Sequence, residues 1–132
     1  MFDIEGYGLL LLEGFKLTII VGVFAMVISL LIGLVAALCK LSKFRSLKVL
    51  AEIYTTVIRG VPEVVLILLV YYGGPTVIQM IAAYFGKDIY VDVNPFFAGS
   101  VTIGFIYGAF ATEVYRGAFM AVPKGQMEAA RA

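Results

Sequence analysis

The sequence predicts an all-α membrane protein with three transmembrane helices. Two observations lead to that class. The chain has 132 residues, of which 62% are hydrophobic, with a mean hydropathy of +1.02 and only 14% charged. An ordinary soluble domain carries roughly 25% charged residues and, at this size, leaves much of its surface exposed to water. The second observation is that the few charges are concentrated between long runs that have none.

The first run extends from Leu17 to Cys39, between Lys16 and Lys40. A helix needs about 20 apolar residues to cross the hydrocarbon core, so this run predicts a span over 17–39. It is too long for a cleaved signal peptide, and Asp3, Glu5 and Glu13 ahead of it are acidic rather than basic. Before it, Gly6 to Gly14 is too short to span and predicts a separate interfacial helix. The second run, 64–86, lies between Glu63 and Lys87 and contains Gly73, Gly74 and Pro75. Proline removes a helix hydrogen bond, which predicts a bend or break near the outer end. The third run begins at Val93, after Asp92, and its helical pattern continues past Glu113 to Val122. Pro95 suits a first helical turn, giving a span over 95–122.

Basic residues mark the cytoplasmic side of a membrane protein. The first connection carries Lys40, Lys43, Arg45 and Lys48 and no acid, whereas Lys87 to Asp92 is mildly acidic. Arg116, Lys124 and Arg131 follow the third run. The N-terminus is therefore expected outside and the C-terminus inside. Tyr71, Tyr72, Tyr84 and Tyr90 suit either interfacial anchors or ordinary packing.

Several function classes are excluded or weakened. The one cysteine, Cys39, forms no internal disulfide, and the absence of His removes the usual zinc and acid–base chemistry. There is no phosphate-binding loop pattern and no basic cluster with interleaved aromatics. Neither metal, cofactor nor nucleic acid is expected.

The remaining polar residues are the informative ones. Lys48, Glu52, Thr55 and Arg59 recur at helical spacing and form one polar face. Such a stripe belongs against water, another subunit or a polar pathway. Arg59-Gly60-Val61-Pro62-Glu63 interrupts the helix before the second span, because Pro62 disfavours helical geometry at Val61. Arg59 and Glu63 are candidates for a polar lining, or for charges snorkelling to the interface. Glu113 and Arg116 stand at i, i+3, the spacing of an ion pair at the membrane edge, and a pathway role is the alternative. Ser100, Gly104, Gly108 and Thr112 form a stripe of small residues, with a weaker one at Ser29, Gly33 and Ala37. Such stripes let membrane helices approach closely. Pro123 and Gly125 stop the third span, and Glu128-Ala129-Ala130 favours a short helix.

Gly125-Gln126-Met127-Glu128-Ala129-Ala130 resembles the start of the "EAA" loop of bacterial ABC importer permeases. Arg59-Gly60-Val61-Pro62 resembles the RG-[TV]-P segment of their polar amino-acid subgroup, and Phe105 to Phe119 resembles that subgroup's third helix. The resemblance covers nearly the whole chain, from Gly6 to Ala132, these segments occur in the family's order, and the chain is similar to permeases for histidine, lysine, arginine and ornithine. The resemblance implies an inner-membrane, multi-pass subunit with no ATPase site of its own. Its partners would be an ABC ATPase subunit, a second permease subunit (identical or not), an external amino-acid-binding protein and the amino acid itself. Gly125, Glu128, Ala129 and Ala130 would couple to the ATPase. The family fold normally has about five membrane helices, so the sequence, ending inside the loop at 123–132, is expected to be the N-terminal part of one transmembrane domain. A competing reading is a small integral-membrane scaffold or assembly protein, which equally explains the small-residue stripes. A membrane-embedded enzyme is disfavoured by the lack of His and of a nucleophile–base pair.

Overall fold

The computed structural model describes residues 6–88 and 94–132. Asp3 and Glu5, and the second connection from Ile89 through Tyr90 to Val93, lie outside the described residues. Every regular element among the described residues is an α-helix: α1 Tyr7–Leu41, α2 Arg45–Gly60, α3 Glu63–Tyr84, α4 Pro95–Ala121 and α5 Lys124–Arg131. Three of these, α1, α3 and α4, are long and apolar enough to cross a membrane.

The interfacial segment expected over Gly6 to Gly14 is not a separate helix. It is the first part of α1, which runs unbroken for 35 residues, or about 52 Å at 1.5 Å per residue. Glu13 and Lys16 are sound helix formers, and Thr18 Oγ1 donates 2.8 Å to the Gly14 carbonyl, so nothing between the two segments stops the helix. Gly6, at φ 85°, sets the start, a left-handed conformation that favours glycine.

α3 likewise continues through Pro75 instead of breaking there. Proline is tolerated inside membrane helices because hydroxyls and local adjustments satisfy the freed backbone. Thr76 Oγ1 donates to the Tyr72 carbonyl at 3.4 Å, beside the Tyr71 carbonyl that Pro75 leaves without its usual donor. α4 starts as the sequence suggests, with Pro95 in its first turn, and Asn94 caps it by accepting from the Phe96 N–H at 3.0 Å.

Val61 and Pro62 alone separate α2 from α3, and Val122 and Pro123 alone separate α4 from α5. In both links the backbone is extended before the proline, as its ring requires (Val61 φ −112°, ψ 142°; Val122 φ −77°, ψ 119°).

The main packing seam joins α1 and α4. Ala25, Ser29, Gly33, Ala36 and Ala37 of α1 are buried, as are Ser100, Gly104, Gly108 and Thr112 of α4. These are the two small-residue stripes. A Cβ at Gly33 would lie 2.6 Å from Ala111 Cβ, and one at Gly104 would lie 2.5 Å from Ile28 Cγ2. The helices are therefore in contact through their backbones. A smaller apolar cluster, Ile58, Leu66, Ile106 and Ala109, joins α2, α3 and α4. Leu10, Phe24, Leu31, Leu69 and Met80 are among many large apolar residues exposed on the outside, the pattern of a chain solvated by lipid.

Candidate functional site

The site is built where α1 ends. Lys40 follows Ala37 by three residues and so continues the buried face of α1 into its last turn. A cation is favoured there by the helix dipole, but Lys40 is only 8% exposed. A buried ammonium is costly unless it is paired and hydrogen-bonded. Glu113 of α4 accepts a hydrogen bond from Lys40 Nζ, and Glu52 Oε1 of α2 lies 3.3 Å from the same nitrogen. Glu113 is also met by Arg116 Nη1 at 3.4 Å and by Arg59 Nη1 at 4.0 Å. Lys40, Arg59 and Arg116 thus surround Glu113, with Glu52 at the edge. A polar cavity of about 420 Å³ opens between them, bordered by Thr55, Thr56 and Gly60.

Local sequence explains each position. Ser100, Gly104, Gly108, Thr112 and Arg116 step by four along α4, so the small-residue stripe hands over to charge at its end. On α2, the polar stripe does not simply face water. Thr55, at its centre, is buried and donates to the Ala51 carbonyl at 3.0 Å, while Glu52 and Arg59 reach the cluster from either side. The Arg59 guanidinium also stands 5.9 Å from the Phe110 ring centroid.

Tyr54 holds the middle of α2. Its hydroxyl donates to the Phe105 carbonyl, and its ring centroid is 5.0 Å from that of Phe105. A Cβ at Gly108 would lie 2.8 Å from this hydroxyl, so the glycine makes its room. Burial pushes the phenol up to about 12, which keeps the donor protonated in any physiological medium. Every buried side-chain nitrogen or oxygen among the described residues has a hydrogen-bond partner.

Of the four polar residues singled out in the sequence, Arg59, Glu113 and Arg116 come together. Glu63 does not join them: at the start of α3 it accepts from the Tyr107 hydroxyl at 2.8 Å and is exposed. Lys40 was not among the four, because as the charge closing an apolar run it reads as a flanking residue. Its spacing from Ala37 is the mark of its buried position. Gly125, Glu128, Ala129 and Ala130 lie together on α5, whose residues are all exposed.

The comparisons with known proteins agree with this architecture. The chain is 46% identical to the histidine/lysine/arginine/ornithine transport system permease protein HisQ of Salmonella typhimurium, over 96% of this chain and 55% of that protein. It is 42% identical to the nopaline transport system permease protein NocQ of Agrobacterium fabrum, over 96% of this chain and 54% of that protein. The chain thus spans about half the length of the curated relatives it matches. A crystal structure of an amino acid ABC transporter with histidines superposes with a TM-score of 0.74 at 32% identity, covering 98% of this chain and 55% of that one. Residues 29–132 match the family profile of the binding-protein-dependent transport system inner membrane component. With that match covering most of its length, the chain belongs to this family of inner-membrane transport components.

Proposed function

We propose that the chain forms part of one transmembrane domain of an ABC importer permease for amino acids, with polar or basic amino acids as its cargo. Its spans, over about 17–39, 64–86 and 95–122, line and brace the translocation pathway, with the N-terminus outside and residues 123–132 opening the coupling loop in the cytoplasm. Its partners are an ABC ATPase, a second permease subunit and an external binding protein. ATP hydrolysis belongs to the ATPase, and this chain supplies passage and linkage.

The observation that carries this reading is α5. It is a short helix with a Glu-Ala-Ala step, fully exposed, directly after a spanning helix. Alanines at 129 and 130 leave a low-relief surface that a partner can approach closely. The names of the relatives support the cargo class. Among the polar residues, Arg59, Glu113 and Arg116 brace the helix ends, while Glu63 ties α3 to α4 through Tyr107.

Glu128→Arg in the permease as the cell encodes it, assembled with its ATPase and binding protein, is the test. Uptake of labelled amino acid into vesicles is expected to fall about tenfold or more while the subunit stays in the membrane, the scale of a lost site-to-site coupling. Undiminished uptake would remove the coupling role from α5.

A further inference from the structure

Two kinds of attachment hold this molecule together, and they differ in character. α1 and α4 are clasped by backbone contact at Gly33 and Gly104. Such packing is close, apolar and hard to reverse. α2 is held differently. It buries only Ala51, Thr55 and Ile58. Its other attachments include the Tyr54 hydrogen bond and ring contact with Phe105, the Arg59–Phe110 contact and the charges around Lys40. The outer members of that cluster are half hydrated: side-chain exposure is 56% for Glu52, 47% for Arg59 and 40% for Arg116, against 3% for Lys40. Water can replace the outer contacts at little cost. The inner Lys40–Glu113 contact has no such substitute, because a buried charge stripped of its partner is strongly disfavoured.

The placement matters as much as the strength. Glu113 lies in the part of α4 that leads to α5, and Glu52 lies on the helix that leads through Val61-Pro62 into α3. Lys40 therefore stands between the element proposed to meet the ATPase and the element that feeds the second span. We propose that Lys40 and Glu113, with Glu52, form a positioning lock that makes α2 follow the base of α4, so that displacement of α5 reaches α3. Lys40 and Glu113 are positioning residues in this role. The lock's contribution to import rests on the transport reading above, whereas its mechanical part does not.

The test removes both inner charges at once, so that neither is stranded: Lys40→Met with Glu113→Gln, in the permease as encoded, assembled with ATPase and binding protein. Spin labels at Val49→Cys on α2 and Met120→Cys on α4, both exposed positions, with Cys39 replaced by alanine, report the separation of the two helices. A single narrow distance is expected with Lys40 and Glu113 in place, and a broad distribution without them. Import is expected to fall roughly tenfold, within the usual range for coupling between sites, while ATP hydrolysis continues. If the double variant does not assemble, Lys40→Met alone is measured instead, and a partial broadening is expected because Arg59 of α2 still meets Glu113 of α4 at 4.0 Å. A narrow distance in the variant, or unchanged import per ATP consumed, would overturn the lock. Should the unaltered complex import no amino acid, the transport reading fails, and the distance measurement alone decides the mechanical claim.

Discussion

Gly104 and Gly117 stand on the same helix and make opposite demands. A Cβ at Gly104 would meet Ile28 Cγ2 at 2.5 Å, Ile28 Cβ at 2.7 Å and the Ala25 carbonyl at 3.1 Å, two of which cannot swing aside. A Cβ at Gly117 would meet nothing within 4 Å. Gly104→Ala is therefore expected to destabilise the protein by about 1–3 kcal/mol through overpacking. Gly117→Ala is expected to stabilise it by about 0.5–1 kcal/mol, since alanine loses less backbone freedom in a helix. Thermal unfolding of the two variants in detergent, followed by circular dichroism, checks both signs. Spacing alone made the Gly104 stripe legible, because a step of four keeps residues on one helix face whatever they pack against. Lys40 was harder to read. A lysine closing an apolar run usually marks the membrane edge, and its burial depends on two carboxylates, Glu52 and Glu113, brought from distant parts of the chain.

For whole helices, the apolar runs located α1, α3 and α4, but their ends depended on local detail. α1 begins well before the charge-free run, since Glu13 and Lys16 bend no backbone, and at about 52 Å it outreaches the roughly 30 Å hydrocarbon core. Pro75 did not divide α3, which continues to Tyr84. α4 shows how an end is fixed. Asn94 accepts from Phe96 N–H, and Pro95 has no N–H to leave unpaired. Asn94→Ala is expected to cost about 1 kcal/mol, and hydrogen exchange should then quicken at the first amides of α4 while α1 is unaffected. Equal protection in both forms would mean that neighbouring contacts, not the cap, hold that end.

Taken whole, the chain has a seam of small residues, an outer surface of large apolar ones and a patch of charge at one end. Composition made the surface legible. The patch was legible only in part, since Arg59, Glu113 and Arg116 met while Glu63 went to Tyr107. If the basic connections lie inside, alkaline phosphatase fused after Ala132 should be inactive, and a fluorescent protein fused there should glow. An active phosphatase would reverse the proposed orientation. The same dipeptide, Val-Pro, forms both short links, Val61-Pro62 and Val122-Pro123. Each proline ring freezes one torsion and confines the residue before it. Such elbows have little backlash. Like a crank on its shaft, α5 has fewer ways to swivel on α4 than a link without proline would allow, so more of a push at this end passes into the rod itself.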